Sequence, residues 1–165
     1  TLLDLCGQDQ PEYDIHEWNI QNVINDMTMT REEGKLYFFG WLYNPESNDI
    51  ESDYYDREKV LDKYYKDGYI HTPYGRKIKV EQRKALNYLI QSTTADRVLE
   101  KAVLIDKMLE GKKSFISHVV HDEIVIDYSD EDRNMVFGIR DIFEDGYIAN
   151  LRAGKDYYNL NELKL

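Results

Sequence analysis

The stretch Phe115-Ile116-Ser117-His118-Val119-Val120-His121-Asp122-Glu123-Ile124-Val125-Ile126-Asp127-Tyr128 carries the strongest fold signal in this chain. Two apolar, β-rich runs, Phe115 to Val119 and Val125 to Tyr128, flank the pentapeptide Val120 to Ile124. That pattern predicts a β-hairpin with the acidic pair Asp122-Glu123 raised at its tip. Adjacent carboxylates on a rigid strand end suit a divalent cation, because hard cations take several anionic oxygens. Charged residues at a turn are equally well explained as solvated surface, so the hairpin by itself leaves both readings open.

Outward from the hairpin, helices and short strands alternate. A short helix is expected from about Ile15 to Ile24. Thr30-Arg31-Glu32-Glu33 is a capping box, in which Thr30 can bond the amide of Glu33 while Glu33 reaches back. The helix it opens should run from Arg31 to about Tyr43 and stop at Asn44-Pro45. A second, charge- and tyrosine-rich helix is expected over Ile50 to Tyr65. Tyr69 to Lys79 reads as strand-turn-strand around Pro73-Tyr74-Gly75. Helical pattern returns from about Val80 to Leu109, with an apolar stripe of Ala95, Val98, Leu99, Ala102 and Leu109, and Ser92-Thr93 as the place where it can break. After the hairpin, Glu131 to Phe143 is amphipathic through Met135, Val136, Ile139 and Ile142, and Tyr147 to Leu151 is expected as a last strand. These elements predict an α+β protein, an antiparallel sheet covered by helices.

The chain has 165 residues and 42% hydrophobic content, enough for a globular domain with a core. No apolar run is long enough to span a bilayer, so no membrane association is expected. Thr1 to Leu5 lacks the basic region of a secretory signal peptide, and a first residue other than methionine points to a fragment. One cysteine, Cys6, excludes an internal disulfide framework and fits a reducing compartment. The net charge of −11 argues against nucleic acid as a partner. The acids cluster in Glu46 to Asp56 and Asp127 to Asp132, however, and a local basic stripe can bind phosphates while the bulk repels them.

On the capped helix, Arg31, Lys35, Phe39 and Tyr43 fall at i, i+4, i+8 and i+12. Each step of four turns about 400°, so the four share one gently twisting face. A helix N-terminus attracts anions through its free amides and dipole, and two cations there would make a polyphosphate receptor. Phe39 and Tyr43 could meet a sugar and a base. The same spacing also suits an ordinary amphipathic helix with its aromatics in the core. Arg83, Asn87 and Gln91 repeat the i, i+4, i+8 spacing and form a polar row that could touch minor-groove acceptors, or simply face water.

Taken in order, these motifs resemble those of family A DNA polymerases, the group of bacterial polymerase I and phage replicative enzymes. Arg31-x3-Lys35-x3-Phe39-x3-Tyr43 resembles the fingers-helix signature. Gly68 to Arg76 is similar to a strand-turn segment ending in Gly-Arg. Arg83-x3-Asn87-x3-Gln91-x-Thr93-x-Ala95-Asp96 is similar to the run opening a palm helix. Val120-His121-Asp122-Glu123 looks like the third motif, and Gly154-Lys155-Asp156-Tyr157 like the C-terminal close. The resemblance implies a helical fingers part over about 15–79 and a partial palm over about 80–165, within one C-terminal polymerase fragment. It implies deoxynucleoside triphosphates and primer-template DNA as partners, Mg²⁺ as cofactor, and the cytoplasm of a bacterium or phage-infected host. Arg31 and Lys35 would hold the triphosphate, with Lys35 steadying the leaving pyrophosphate. Phe39 would pack on sugar and base, and Tyr43 would stack at the template position. Arg83, Asn87, Gln91 and His121 would contact DNA. Asp122 would ligate the metals, with Glu123 beside it.

Three departures qualify the resemblance. Asn44 stands where the family has glycine, and an αL helix end is expected to survive there. Val119 replaces a frequent glutamine. The family's first metal-binding motif is missing, and Asp14-Ile15-His16 resembles a segment just downstream of it. An upstream polypeptide is therefore expected to complete the site, and the chain alone is expected to be inactive. The alternatives are a non-catalytic nucleic-acid-binding or assembly module of polymerase descent, a His-Asp phosphohydrolase around His121-Asp122, and an acidic interaction domain. An incomplete palm sheet would leave an exposed edge open to self-association.

Overall fold

A computed structural model describes residues 1–163 as α+β, with the chain dividing into two compact units, Thr1–Asp96 and Arg97 onward. No helix among the described residues is long and apolar enough to cross a membrane.

The first unit opens with α1 (Leu2–Cys6) and α2 (Ile15–Asn19), which continues as one π-helical turn, Ile20–Ile24. Then come α3 (Arg31–Tyr43), α4 (Arg57–Tyr64) and a three-stranded antiparallel sheet of β1 (Tyr65–Lys66), β2 (Tyr69–His71) and β3 (Lys77–Lys79). The long helix α5 (Gln82–Met108) begins here. Its core holds Leu3, Phe38, Trp41, Val60, Ile70 and Leu89. Within that core the Tyr55 hydroxyl donates to Asn19 Oδ1 at 2.8 Å, matching the phenol with the amide carbonyl.

The capped helix forms as its sequence predicts, Arg31–Tyr43, with both bonds of the capping box present. Its end differs. Asn44 is extended (φ −100°, ψ 104°) rather than left-handed. Arg57 explains this: its guanidinium lies 4.2 Å from the Trp41 ring and donates to the Trp41 carbonyl in the last turn, and it holds the chain beyond through the carbonyls of Asn44 and Ser47.

The helix expected over 50–65 shortens to Arg57–Tyr64. Asp56 caps it by accepting from the Lys59 amide at 2.8 Å, while Ser52 takes the Tyr54 amide upstream. Such side-chain bonds offer the backbone an alternative to helix. Conversely, α5 does not break at Ser92-Thr93. The Ser92 and Thr94 hydroxyls donate to the carbonyls of Tyr88 and Ile90, four residues back, and the helix runs through.

In the second unit, Ile105 of α5 and Leu109 just past its end pack with Ile139 of α6 (Val136–Glu144) and with the inward residues Ile116, Ile124 and Ile126 of β4 (Phe115–Val120) and β5 (Glu123–Asp127). The stripe expected on α5 is half right: Val98, Ala102 and Leu109 are buried but Leu99 is exposed. The helix expected from Glu131 begins as a 3₁₀ turn, Asp130–Met135, kinked at Asp132. The kink has a cause. The Asp132 carboxylate is buried and accepts the amides of Lys113 and Ser114, at 2.9 and 2.7 Å, just where β4 begins.

No strand forms over 147–151. Pairing comes later, between β6 (Arg152–Ala153) and β7 (Asn161–Glu162), while the Tyr147 ring instead receives Arg97, 4.4 Å from its centroid. Among the described residues the strands make three separate antiparallel sheets rather than the single one expected.

Candidate functional site

In the first unit α3 separates its residues cleanly by face. Phe38, Trp41 and Leu42 are buried in the core, and Gly34 faces Ile20 so closely that an added Cβ would lie 2.3 Å from Ile20 Cγ1. The Arg31, Lys35, Phe39, Tyr43 row runs beside this core, and Phe39 packs against it. Phe39 is half-buried, Tyr43 is exposed, and their rings stack at 5.7 Å and 17°. The ordinary amphipathic reading, with these two aromatics as core, does not hold for Tyr43.

The cations at the start of the row are engaged. Arg31 binds the Asp14 carboxylate at 2.8 Å and Glu32 at 2.7 Å, and Lys35 Nζ lies 3.7 Å from Glu32. The Arg31 guanidinium holds the Asp14 carboxyl below the usual carboxylate range, helped by the His16 and Glu17 amides that Asp14 caps. His16, in the first turn of α2, meets Phe39 edge-on at 5.7 Å. Burial lowers its pKa, and its Nδ1 is buried without a hydrogen-bond partner. Asp14 and His16 thus stand beside the predicted row. Neither was expected there: Asp14-Ile15-His16 entered the sequence reading only as a segment resembling one just downstream of the missing metal-binding motif.

The polar row on α5 also shares a face: Gln91 donates to Asn87 Oδ1 at 2.7 Å, and Arg83 pairs with Glu81 at 3.1 Å. Arg76, closing the Gly-Arg segment, forms a bidentate ion pair with Asp96, which fastens the β2–β3 turn to α5.

In the second unit the hairpin forms, with Val120 opposite Glu123 and His121-Asp122 as its two-residue turn. His121 takes a left-handed conformation (φ 52°), rare for a residue with a side chain. The tip carries one carboxylate, not two. Asp122 is exposed, while Glu123 is the first residue of β5. Glu123 is also occupied: Arg152 pairs with Oε1, and the Tyr157 hydroxyl donates to Oε2 at 2.8 Å. That bond to Glu123 raises the Tyr157 phenol pKa. The Tyr157 ring sits 6.0 Å from His118 on β4. Neither Arg152 nor Tyr157 had been singled out as a partner of Glu123, because partners 29 and 34 residues away leave no periodic trace.

At the hairpin tip Asp122 is thus the exposed carboxylate and Glu123 the engaged one. Among the described residues no three His, Cys, Asp or Glu side chains group as a metal-holding cluster.

No protein-family model, curated protein or solved structure matches this chain.

Proposed function

We propose that this chain is the nucleotide-binding portion of a template-directed DNA polymerase of the family A type. Arg31 and Lys35 take phosphate oxygens of an incoming deoxynucleoside triphosphate, and the stacked Phe39 and Tyr43 lie against its sugar and base. The observation that carries this is the row on α3 in which two cations lead to a stacked aromatic pair, Phe39 resting on the core and Tyr43 exposed. Binding of a triphosphate would displace Asp14 from Arg31, exchanging one anion for a more highly charged one. Arg83, Asn87 and Gln91 hold the duplex by its grooves, and His121 and Asp122 address the primer end. Bound Mg²⁺ would supply charge neutralisation for phosphoryl transfer, but the carboxylates here are too few for it, so the chain alone binds without extending a primer.

The engagement of Glu123 by Arg152 and Tyr157 favours a second reading, a non-catalytic nucleic-acid-binding module of polymerase descent. Titration of the purified chain with a fluorescent deoxynucleoside triphosphate, with and without Mg²⁺, separates the two. In both, Lys35→Ala weakens binding by about tenfold, the loss of one charge-assisted contact. In the polymerase reading Mg²⁺ strengthens that binding by neutralising the phosphate oxygens. In the module reading it changes nothing. Absence of triphosphate binding, or binding indifferent to Lys35, ends both readings. Primer extension by the isolated chain would refute its incompleteness.

A further inference from the structure

The outer face of the β1–β2–β3 sheet is a basic patch on an acidic protein. Paired residues of an antiparallel sheet point the same way. Tyr65, Ile70 and Ile78 are cross-strand partners and pack on the core of the first unit. The alternate residues turn outward. Lys66 pairs with Tyr69, Tyr69 with Lys79, and His71 with Lys77, so Tyr69 has a lysine on each side across the sheet. Lys66, His71, Lys77 and Lys79 are exposed. Lys77 Nζ also lies 4.3 Å from the Tyr69 ring centroid.

The charge is concentrated rather than scattered. Between Tyr64 and Val80 the chain has four cations, Lys66, Arg76, Lys77 and Lys79, against one carboxylate, Asp67, although the whole chain carries −11. Arg76 is spent on Asp96. Among the described residues Lys66, Lys77 and Lys79 have no carboxylate partner. Unpaired ammonium groups so close together repel one another, and an anion laid across them relieves that repulsion.

We propose that this sheet face binds single-stranded nucleic acid. The lysines take successive phosphates and Tyr69 offers an aromatic surface to a base. Lys77 and Lys79 lie two residues apart on one strand, about 7 Å along it, which gives a strand of phosphates a row of cations to follow. An aromatic set among lysines is the combination that backbone-tracking proteins use for unpaired strands, where cations supply affinity and a ring stacks whichever base arrives. An acidic peptide would use the lysines but has no need of the tyrosine between them. Binding here requires no nucleotide at α3.

The test is fluorescence anisotropy of a short labelled oligothymidylate with the full chain at increasing salt. The triple variant Lys66→Gln, Lys77→Gln, Lys79→Gln is expected to bind at least about tenfold more weakly at low salt. Its slope of log affinity against log salt should fall by about 2, since each phosphate contact on a single strand contributes roughly 0.7. Tyr69→Leu is expected to lose affinity by about fivefold or more while keeping the wild-type slope. Both variants should retain the wild-type affinity for a deoxynucleoside triphosphate, so that failure here is distinct from failure at α3. Circular dichroism and a thermal melt establish that each variant is folded. No oligothymidylate binding by the wild type, an unchanged slope in a folded triple variant, or stronger displacement by polyglutamate than by unlabelled oligonucleotide would overturn the proposal.

Discussion

Asp14 and Arg31 are bound to each other, Oδ2 to Nη2 at 2.8 Å, across the start of two helices. The same Asp14 side chain caps α2 through the His16 and Glu17 amides. One carboxylate therefore does two jobs: it anchors a helix start and it fills the place on Arg31 where a phosphate oxygen would sit. The two roles come apart by substitution. Asn caps as well as Asp but carries no charge. Asp14→Asn is expected to keep stability and to tighten triphosphate binding by about threefold to tenfold, the scale of a partly exposed ion pair removed as competitor. Asp14→Ala should lose about 1 kcal/mol of stability with the cap. Equal triphosphate affinity in Asp14→Asn and wild type would show that Asp14 does not compete.

Gly34 should reject alanine, against the helix propensity that favours alanine by about 1 kcal/mol. The added methyl would meet Ile20 at 2.3 and 2.5 Å, inside the core, where overpacking costs about 1–3 kcal/mol. Chemical denaturation of Gly34→Ala should give a lower midpoint than wild type. A higher one would mean that Ile20 yields freely.

Tyr157 should report on Glu123. The bond to this carboxylate raises the phenol pKa. A raised folded value contributes stability that is whole below the ordinary tyrosine value near ~10, and that is lost as pH rises through the folded value. Ultraviolet difference titration of wild type against Tyr157→Phe isolates this phenol. In a Glu123→Gln background its midpoint should move down toward the ordinary value. No movement would mean that the two groups are not in contact.

Asp132 makes the opposite prediction at acid pH. Backbone amides of Ser114 and Lys113 lower its pKa, the Ser114 bond most of all. Its contribution to stability is present above the ordinary carboxylate value near ~3.9 and is lost as pH falls through the depressed folded value. Asp132→Ala should lower the urea midpoint at neutral pH and flatten its decline in acid. An unchanged neutral midpoint would rule out the clasp between the 3₁₀ turn and the start of β4.

What the sequence disclosed was local. The capping box at Thr30 and Glu33, the hairpin at 115–128 and the stripe through Ile139 each lie within one element, where spacing alone encodes geometry. The division of α3 was foreshadowed by its four-residue steps, though not which of the two aromatic sets would be core. What stayed hidden was pairing at a distance. Arg57 reaching back to Trp41, Asn44 and Ser47 reshapes a helix end, and no periodicity announces it. Glu123 looked like a second metal ligand because the residues that claim it come from the far side of α6 in sequence. Electrostatic partners, more than secondary structure, were the missing half of the site.

The strict alternation of β1 to β3 has an evolutionary consequence. Slipping the register by one residue would exchange Ile70 for an ionisable neighbour in the core, so drift of the pairing is forbidden. Outward positions carry no such constraint. Descendants could reverse the sign of that surface, lysine by lysine, while the core beneath never registers the change.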